Sequence, residues 1–119
     1  MKDIEGLFIT PDTGIRVHAI KSGVIADLAR REVWRGSLRV VLTPTEGKLM
    51  KALLENRGRV MSHRDLVLMV HGYDTTDWEA PEVLRPLVSR LKRKLRVFPN
   101  GESWITNVRG TGYVFDAGA

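Results

Sequence analysis

The spacing of apolar side chains changes period along the chain, and the change divides it into elements. Between residues 6 and 42 short apolar stretches alternate with turn residues. Leu7–Thr10 leads into Pro11-Asp12-Thr13-Gly14, then Ile15, Val17 and Ala19 alternate with Arg16 and His18. Lys21-Ser22-Gly23 breaks that run, and Val24–Leu28, Glu32–Trp34 and Leu38–Leu42 follow, the last pair separated by Arg35-Gly36. Period-two alternation broken by such residues predicts a small antiparallel sheet with one wet face.

At Thr43 the period lengthens. Thr43-Pro44-Thr45-Glu46 has the form of a capping box. Thr43 is the N-cap, Pro44 sits where its missing N–H is harmless, and Glu46 reaches back from the third helical position. Leu49, Met50, Leu53 and Leu54 mark one apolar face, and Gly58 closes the helix. Ser62 and Asp65 repeat the box; Leu66, Val67, Met69 and Val70 bury a second helix that stops at Gly72. The polar connector Tyr73–Glu79 leads to a third helix, where Leu84, Leu87, Val88, Leu91 and Leu95 fall within about a third of the circumference.

Pro86 predicts that this helix begins regularly only near itself, or is kinked there. A proline deep inside a helix removes a hydrogen bond and clashes with the preceding turn. Pro99-Asn100-Gly101 stops the helix. Finally Ser103–Val108 and Tyr113–Phe115 flank Arg109-Gly110-Thr111-Gly112, whose two glycines suit a hairpin turn needing positive φ.

Charge singles out the third helix. Leu84–Arg96 reads LRPLVSRLKRKLR, with six of the chain's 19 basic residues and no acid. Arg85, Pro86, Ser89, Arg93 and Arg96 lie opposite the apolar stripe, with Arg90 at its margin; Lys94 and Lys51 are expected to face solvent. The whole chain carries +5 (19 basic against 14 acidic residues), which favours an anionic partner. Its 119 residues fit one domain, and 43% hydrophobic with 28% charged residues argues against disorder.

Other features exclude more than they suggest. Without cysteine there is no disulfide, thiolate metal site or thiol nucleophile. MKDIEGLFIT has no apolar stretch of signal-peptide length, and no run approaches the ~20 residues of a membrane span. A soluble cytoplasmic protein without a membrane partner is expected. His18, His63 and His71 lack the spacing of a shared ligand set, so neither a metal nor a cofactor is expected. Gly110-Thr111-Gly112 is followed by no third glycine and opens no helix, which makes it a hairpin turn rather than a phosphate loop. Asp74, Asp77 and Glu79 have no nucleophile beside them and read as a solvated or partner-binding loop. Ser62 lacks a nucleophile elbow. Trp34, Trp78 and Trp104 read as packing groups. With no triad, metal set or converging carboxylates, no catalytic residues and no enzyme are expected.

A short sheet, three helices and a hairpin is the order of an α+β winged helix-turn-helix. The third helix matches the ~12 Å major groove of DNA, and the hairpin brings Arg109 towards the minor groove. Four segments then match one family in order and spacing: LTPTE (Leu42–Glu46), NRGRVMSHRDL (Asn56–Leu66), SRLKRKL (Ser89–Leu95) and ITNVRGTGYVF (Ile105–Phe115). On these the chain, from Ala26 to Phe115, resembles the effector domain of OmpR/PhoB-type response regulators of bacterial two-component phosphorelays.

The resemblance implies a winged helix preceded by a four-stranded sheet, binding double-stranded DNA at tandem repeats, usually as a homodimer. It places the recognition helix on Glu82–Leu95 and the wing on Ile105–Phe115. DNA contacts are implied for Arg85, Ser89, Arg90, Lys92, Arg93 and Arg109. Tyr73–Glu79 matches a transactivation loop that touches RNA polymerase in some members. Residues 24–119 form the expected winged-helix domain, with 1–23 as N-terminal strands or an extension outside the firm match.

Several positions depart from the family pattern. Glu82 stands where Arg is common, Pro86 where Val is, Leu87 where a polar residue or His is, Gly47 where an aromatic is and His71 where Trp is. A target sequence unlike the family's usual one is therefore expected. The acidic Mg²⁺ pocket and phosphoacceptor aspartate of a receiver domain are missing before Thr43, so the expectation is an excised effector domain or a stand-alone regulator. The rival from another class is a protein-interaction adaptor whose basic face docks an acidic partner.

Overall fold

The computed structural model describes residues 7–9 and 16–118. The turn expected at Pro11–Gly14, and Ile15 after it, lie outside the described residues. Five strands form an antiparallel meander: β1 (Leu7–Ile9), β2 (Arg16–Lys21), β3 (Val24–Asp27), β4 (Glu32–Arg35) and β5 (Leu38–Val41), neighbours in that order. The resemblance implies four strands here; β1 is the additional one, added at the edge by pairing Leu7 with His18 and Ile9 with Arg16. Ala26 opposes Val33 and both are buried, while their neighbours Ile25 and Trp34 pair on the half-buried face. That alternation is the one-sided sheet the period-two pattern predicts.

Helix α1 (Pro44–Glu55) begins with the full capping box. Thr43 Oγ1 accepts from the Glu46 N–H at 3.1 Å, and Glu46 Oε1 accepts from the Thr43 N–H at 2.9 Å. Helix α2 (His63–His71) is capped by Ser62, whose Oγ accepts from the Asp65 N–H, and ends on left-handed Gly72. Only half of the expected second box forms. Just before α2, β6 (Met61–Ser62), a two-residue strand unforeseen in the sequence, pairs Ser62 with Gly112.

Helix α3 runs from Ala80 to Leu95 with Pro86 inside it, correcting the expectation that the regular helix starts only near Pro86. Pro81 occupies the first turn, where a missing N–H costs nothing. Pro86 is on the exposed face, and Leu84, Leu87, Val88, Leu91 and Leu95 are all buried beneath it. Apolar burial of about 1.5–3 kcal/mol per such side chain outweighs the ~3 kcal/mol of an interior proline. The helix stops at Leu95, a turn earlier than Pro99, and a short 3-10 turn (Gly101–Ser103) follows.

Strands β7 (Ile105–Val108) and β8 (Gly112–Phe115) make the hairpin, with β8 flanked by β6 on its other side. The two glycines of the turn serve different purposes. Gly110 adopts φ +76°, as expected, whereas Gly112 lies in β8. A Cβ on Gly112 would meet the Met61 carbonyl oxygen at 1.7 Å, so close strand approach is what requires it.

The core gathers between the helices and β8. Trp104 stacks on Phe98 and tilts against Phe115, both at 6.2 Å between centroids. Arg57 fastens the first sheet to this core. Its guanidinium donates to the Ala19 and Ile20 carbonyls at 2.8 and 2.7 Å and stands 5.5 Å from the Phe115 ring centre. No described helix is long and apolar enough to cross a membrane.

Candidate nucleic-acid interface

Helix α3 presents its charged face outward for the reason its sequence gives. Arg85, Ser89, Arg90 and Arg93 are exposed, Lys92 is half-buried, and the leucine stripe faces α1 and α2. Arg109 is exposed at the hairpin turn. All six residues expected to contact DNA therefore lie on α3 or the wing tip, with side chains reaching solvent.

The basic groups divide by what they are bonded to. Arg85 donates to Glu82 Oε1 at 3.2 Å, Arg96 to Glu102 Oε2 at 3.0 Å, and Lys94 to Glu46 Oε1 at 2.6 Å. Arg90, Lys92, Arg93 and Arg109 have no side-chain partner among the described residues. Four cations thus remain uncompensated, three spread around the outward side of α3 and one at the hairpin turn. An exposed ion pair contributes little, so Arg85 and Arg96 are readily released to a stronger anion.

Lys94 corrects the expectation that it faces solvent. Its ammonium bonds the buried Glu46 carboxylate and, at 3.0 Å, the Val41 carbonyl. Burial raises the Glu46 pKa, but the Lys94 hydrogen bond and the Thr43 N–H lower it by more, so the carboxyl stays below its ordinary value. One ammonium thereby joins α3 to the end of β5 and the cap of α1. The sequence held a signal for this: at 100° per residue Lys94 lies only about 20° beyond the edge of the apolar stripe.

Where α2 meets the wing, the His63 ring packs edge-on against Tyr113, 5.5 Å between centroids. Burial, and secondarily the charge of Arg85, hold the His63 pKa below its ordinary value. Burial pushes the Tyr113 phenol up, with Arg85 opposing. The charge of Arg85 is thus felt at both the start of α2 and β8.

The connector at residues 73–79 is organised. Arg64 donates to both Asp74 oxygens at 3.1 and 3.2 Å and lies 3.7 Å from Asp77, while Thr76 and Glu79 bond each other. The Arg64 pair holds the Asp74 carboxyl below its ordinary value. Trp78, expected as a packing group, is instead 77% exposed on this loop. Trp104 is buried and Trp34 half-buried. Among the described residues no three His, Asp or Glu side chains gather as a metal site requires.

This arrangement has counterparts. Residues 37–115 match the family described as "Transcriptional regulatory protein, C terminal". The KDP operon transcriptional regulatory protein KdpE of Escherichia coli is 36% identical over 94 residues, covering 79% of this chain and 41% of KdpE. The probable transcriptional regulator ycf27 of Guillardia theta is 32% identical over 104 residues, 82% of this chain and 41% of that protein. The chain thus spans about two-fifths of the length of these curated relatives. Among solved structures, the DNA-binding domain of CpxR from E. coli superposes with a TM-score of 0.73 at 26% identity, covering 87% of this chain and 98% of that domain. With two-thirds of its residues inside the family match and its fold shared, the chain belongs to the C-terminal transcriptional regulatory family, the OmpR/PhoB-type winged-helix effector domains.

Proposed function

We propose that this chain is a sequence-specific, double-stranded DNA-binding module of a bacterial transcription regulator, with α3 in the major groove and the wing at the minor groove. The observation that carries this is the set Arg90, Lys92, Arg93 and Arg109, uncompensated cations on α3 and the wing turn, with Arg90, Arg93 and Arg109 exposed and Lys92 half-buried. Arg85 and Ser89 complete the contact set on the same face. Guanidinium forks suit guanine O6 and N7, and phosphates take the remaining donors. The module acts by binding, without a catalytic step, in the cytoplasm. It occupies tandem sites as a homodimer, and the loop at residues 73–79, with Trp78 outermost, meets RNA polymerase.

Selection–sequencing on random duplexes tests the reading, with an Arg90→Ala/Arg93→Ala double variant alongside. Wild type is expected to enrich one motif and the double variant to lose it while staying folded, because both side chains are exposed. With about five phosphates neutralised, log K against log salt should have a slope of about −4 to −5. A wild type that enriches nothing, with a double variant binding DNA equally well, sinks the reading. An acidic protein partner would then become the better occupant of the basic face.

A further inference from the structure

The first turns of α3 contain an acceptor pair among donors. Glu82, Pro86, Ser89 and Arg93 lie along one line, within about 30° of the direction opposite the leucine stripe at 100° per residue. All four are exposed. Glu82 is therefore on the centre line of the very face that carries Ser89 and Arg93. Its carboxylate is bonded to Arg85 through Oε1 at 3.2 Å, with side chains 72% and 62% exposed respectively.

Pro86 adds a second acceptor. In an α-helix the N–H of residue 86 bonds the carbonyl of residue 82, and proline has none to give. The Glu82 carbonyl is thus left without its intrahelical donor, next to its own exposed carboxylate. The major groove offers only two exocyclic donors to such acceptors, cytosine N4 and adenine N6.

We propose that Glu82 determines specificity by accepting a hydrogen bond from the exocyclic amino group of a base, cytosine foremost, next to a guanine read by Arg85. This rests on the DNA-binding reading above. The Glu82–Arg85 pair presents acceptor and donor side by side, the complement of adjacent amino and N7/O6 edges. The negative charge also repels phosphates, so it weakens binding to unrelated duplex while sparing the correct site. An acid in a first helical turn is otherwise explained by the helix dipole, but a dipole role would leave the selected DNA sequence unchanged.

Selection–sequencing of wild type, Glu82→Ala, Arg85→Ala and Pro86→Ala, with anisotropy titrations on the selected duplex and a random one, tests this. Glu82→Ala should make a cytosine column indifferent, losing about tenfold discrimination, and should bind random duplex severalfold more tightly. Arg85→Ala should blur the neighbouring guanine instead. Pro86→Ala, which returns a donor to the Glu82 carbonyl, should weaken the cytosine column without abolishing it. An unchanged motif in Glu82→Ala overturns the proposal while leaving DNA binding intact. So does blurring confined to the guanine column, since Glu82 would then only steer Arg85. A wild type that enriches no motif overturns both this proposal and the reading beneath it.

Discussion

At its C-terminal end α3 is tied down. Leu91 and Leu95 are fully buried, and Lys94 joins the buried Glu46 carboxylate and the Val41 carbonyl. At its N-terminal end the same helix has no side-chain cap, carries prolines at 81 and 86, and keeps its charged pair in solvent. The difference separates two tasks within 16 residues. The tail fixes where the helix points. The leading turns, packed through Ala80 and Leu84 but without a buried ion pair, keep their donors and acceptors available for a partner.

Breaking the tail should have the largest effect. Lys94→Met leaves Glu46, 2% exposed, without its cation. Stranding a buried carboxylate costs about 3–5 kcal/mol, reduced here to roughly 2–3 because Lys94 itself is partly solvated. Urea unfolding should record that loss, and DNA affinity should fall with it although Lys94 is no contact residue. The leading turns should respond with the opposite sign. Pro86→Ala restores an intrahelical bond and should raise stability by about 1–2 kcal/mol, the gain being reduced by a freer unfolded chain. No change in the urea midpoint would mean that the helix has already absorbed the proline without strain.

A smaller loss, about 1 kcal/mol, is expected for Thr43→Ala, which removes the cap oxygen but leaves the Lys94–Glu46 pair. If it costs as much as Lys94→Met, the cap and the ion pair form one unit rather than two. The smallest effect concerns His63. Its folded pKa lies below the ordinary imidazole value, so the unfolded chain binds more protons in the interval between them. The contribution is present above the ordinary value and is lost as pH falls towards the folded one. Urea midpoints should decline modestly over that interval for wild type, and the slope should flatten in His63→Gln.

The long-period parts were the legible ones. Both helix caps, the five buried positions of α3 and the outward set Arg85, Ser89, Arg90 and Arg93 follow from local rules about side-chain direction. What escaped depended on partners distant in the chain. Met61–Ser62 becomes a strand only because β8 lies beside it, and nothing in two residues announces that. Arg57 finds carbonyls 37 and 38 residues away. Lys94 reads as solvent-facing in the sequence because its acceptor lies 48 residues earlier. At Pro86 the local cost of an interior proline is legible in the sequence, and the tertiary burial of α3 that offsets it is not.

One atom that is absent has a mechanical consequence. Because Gly112 carries no Cβ, the Met61 carbonyl lies directly against β8, and the segment between α1 and α2 is welded to the wing. On the DNA-binding reading proposed above, α3, packed on α2, and the hairpin tip then behave as the two jaws of a caliper with a fixed opening. When such an instrument closes on a duplex whose groove spacing does not match, the DNA must bend or change groove width. Sequences that deform easily at that span gain an advantage no base contact supplies. A side chain at position 112 would loosen the hinge and blunt that selectivity, even with every cation on α3 still in place.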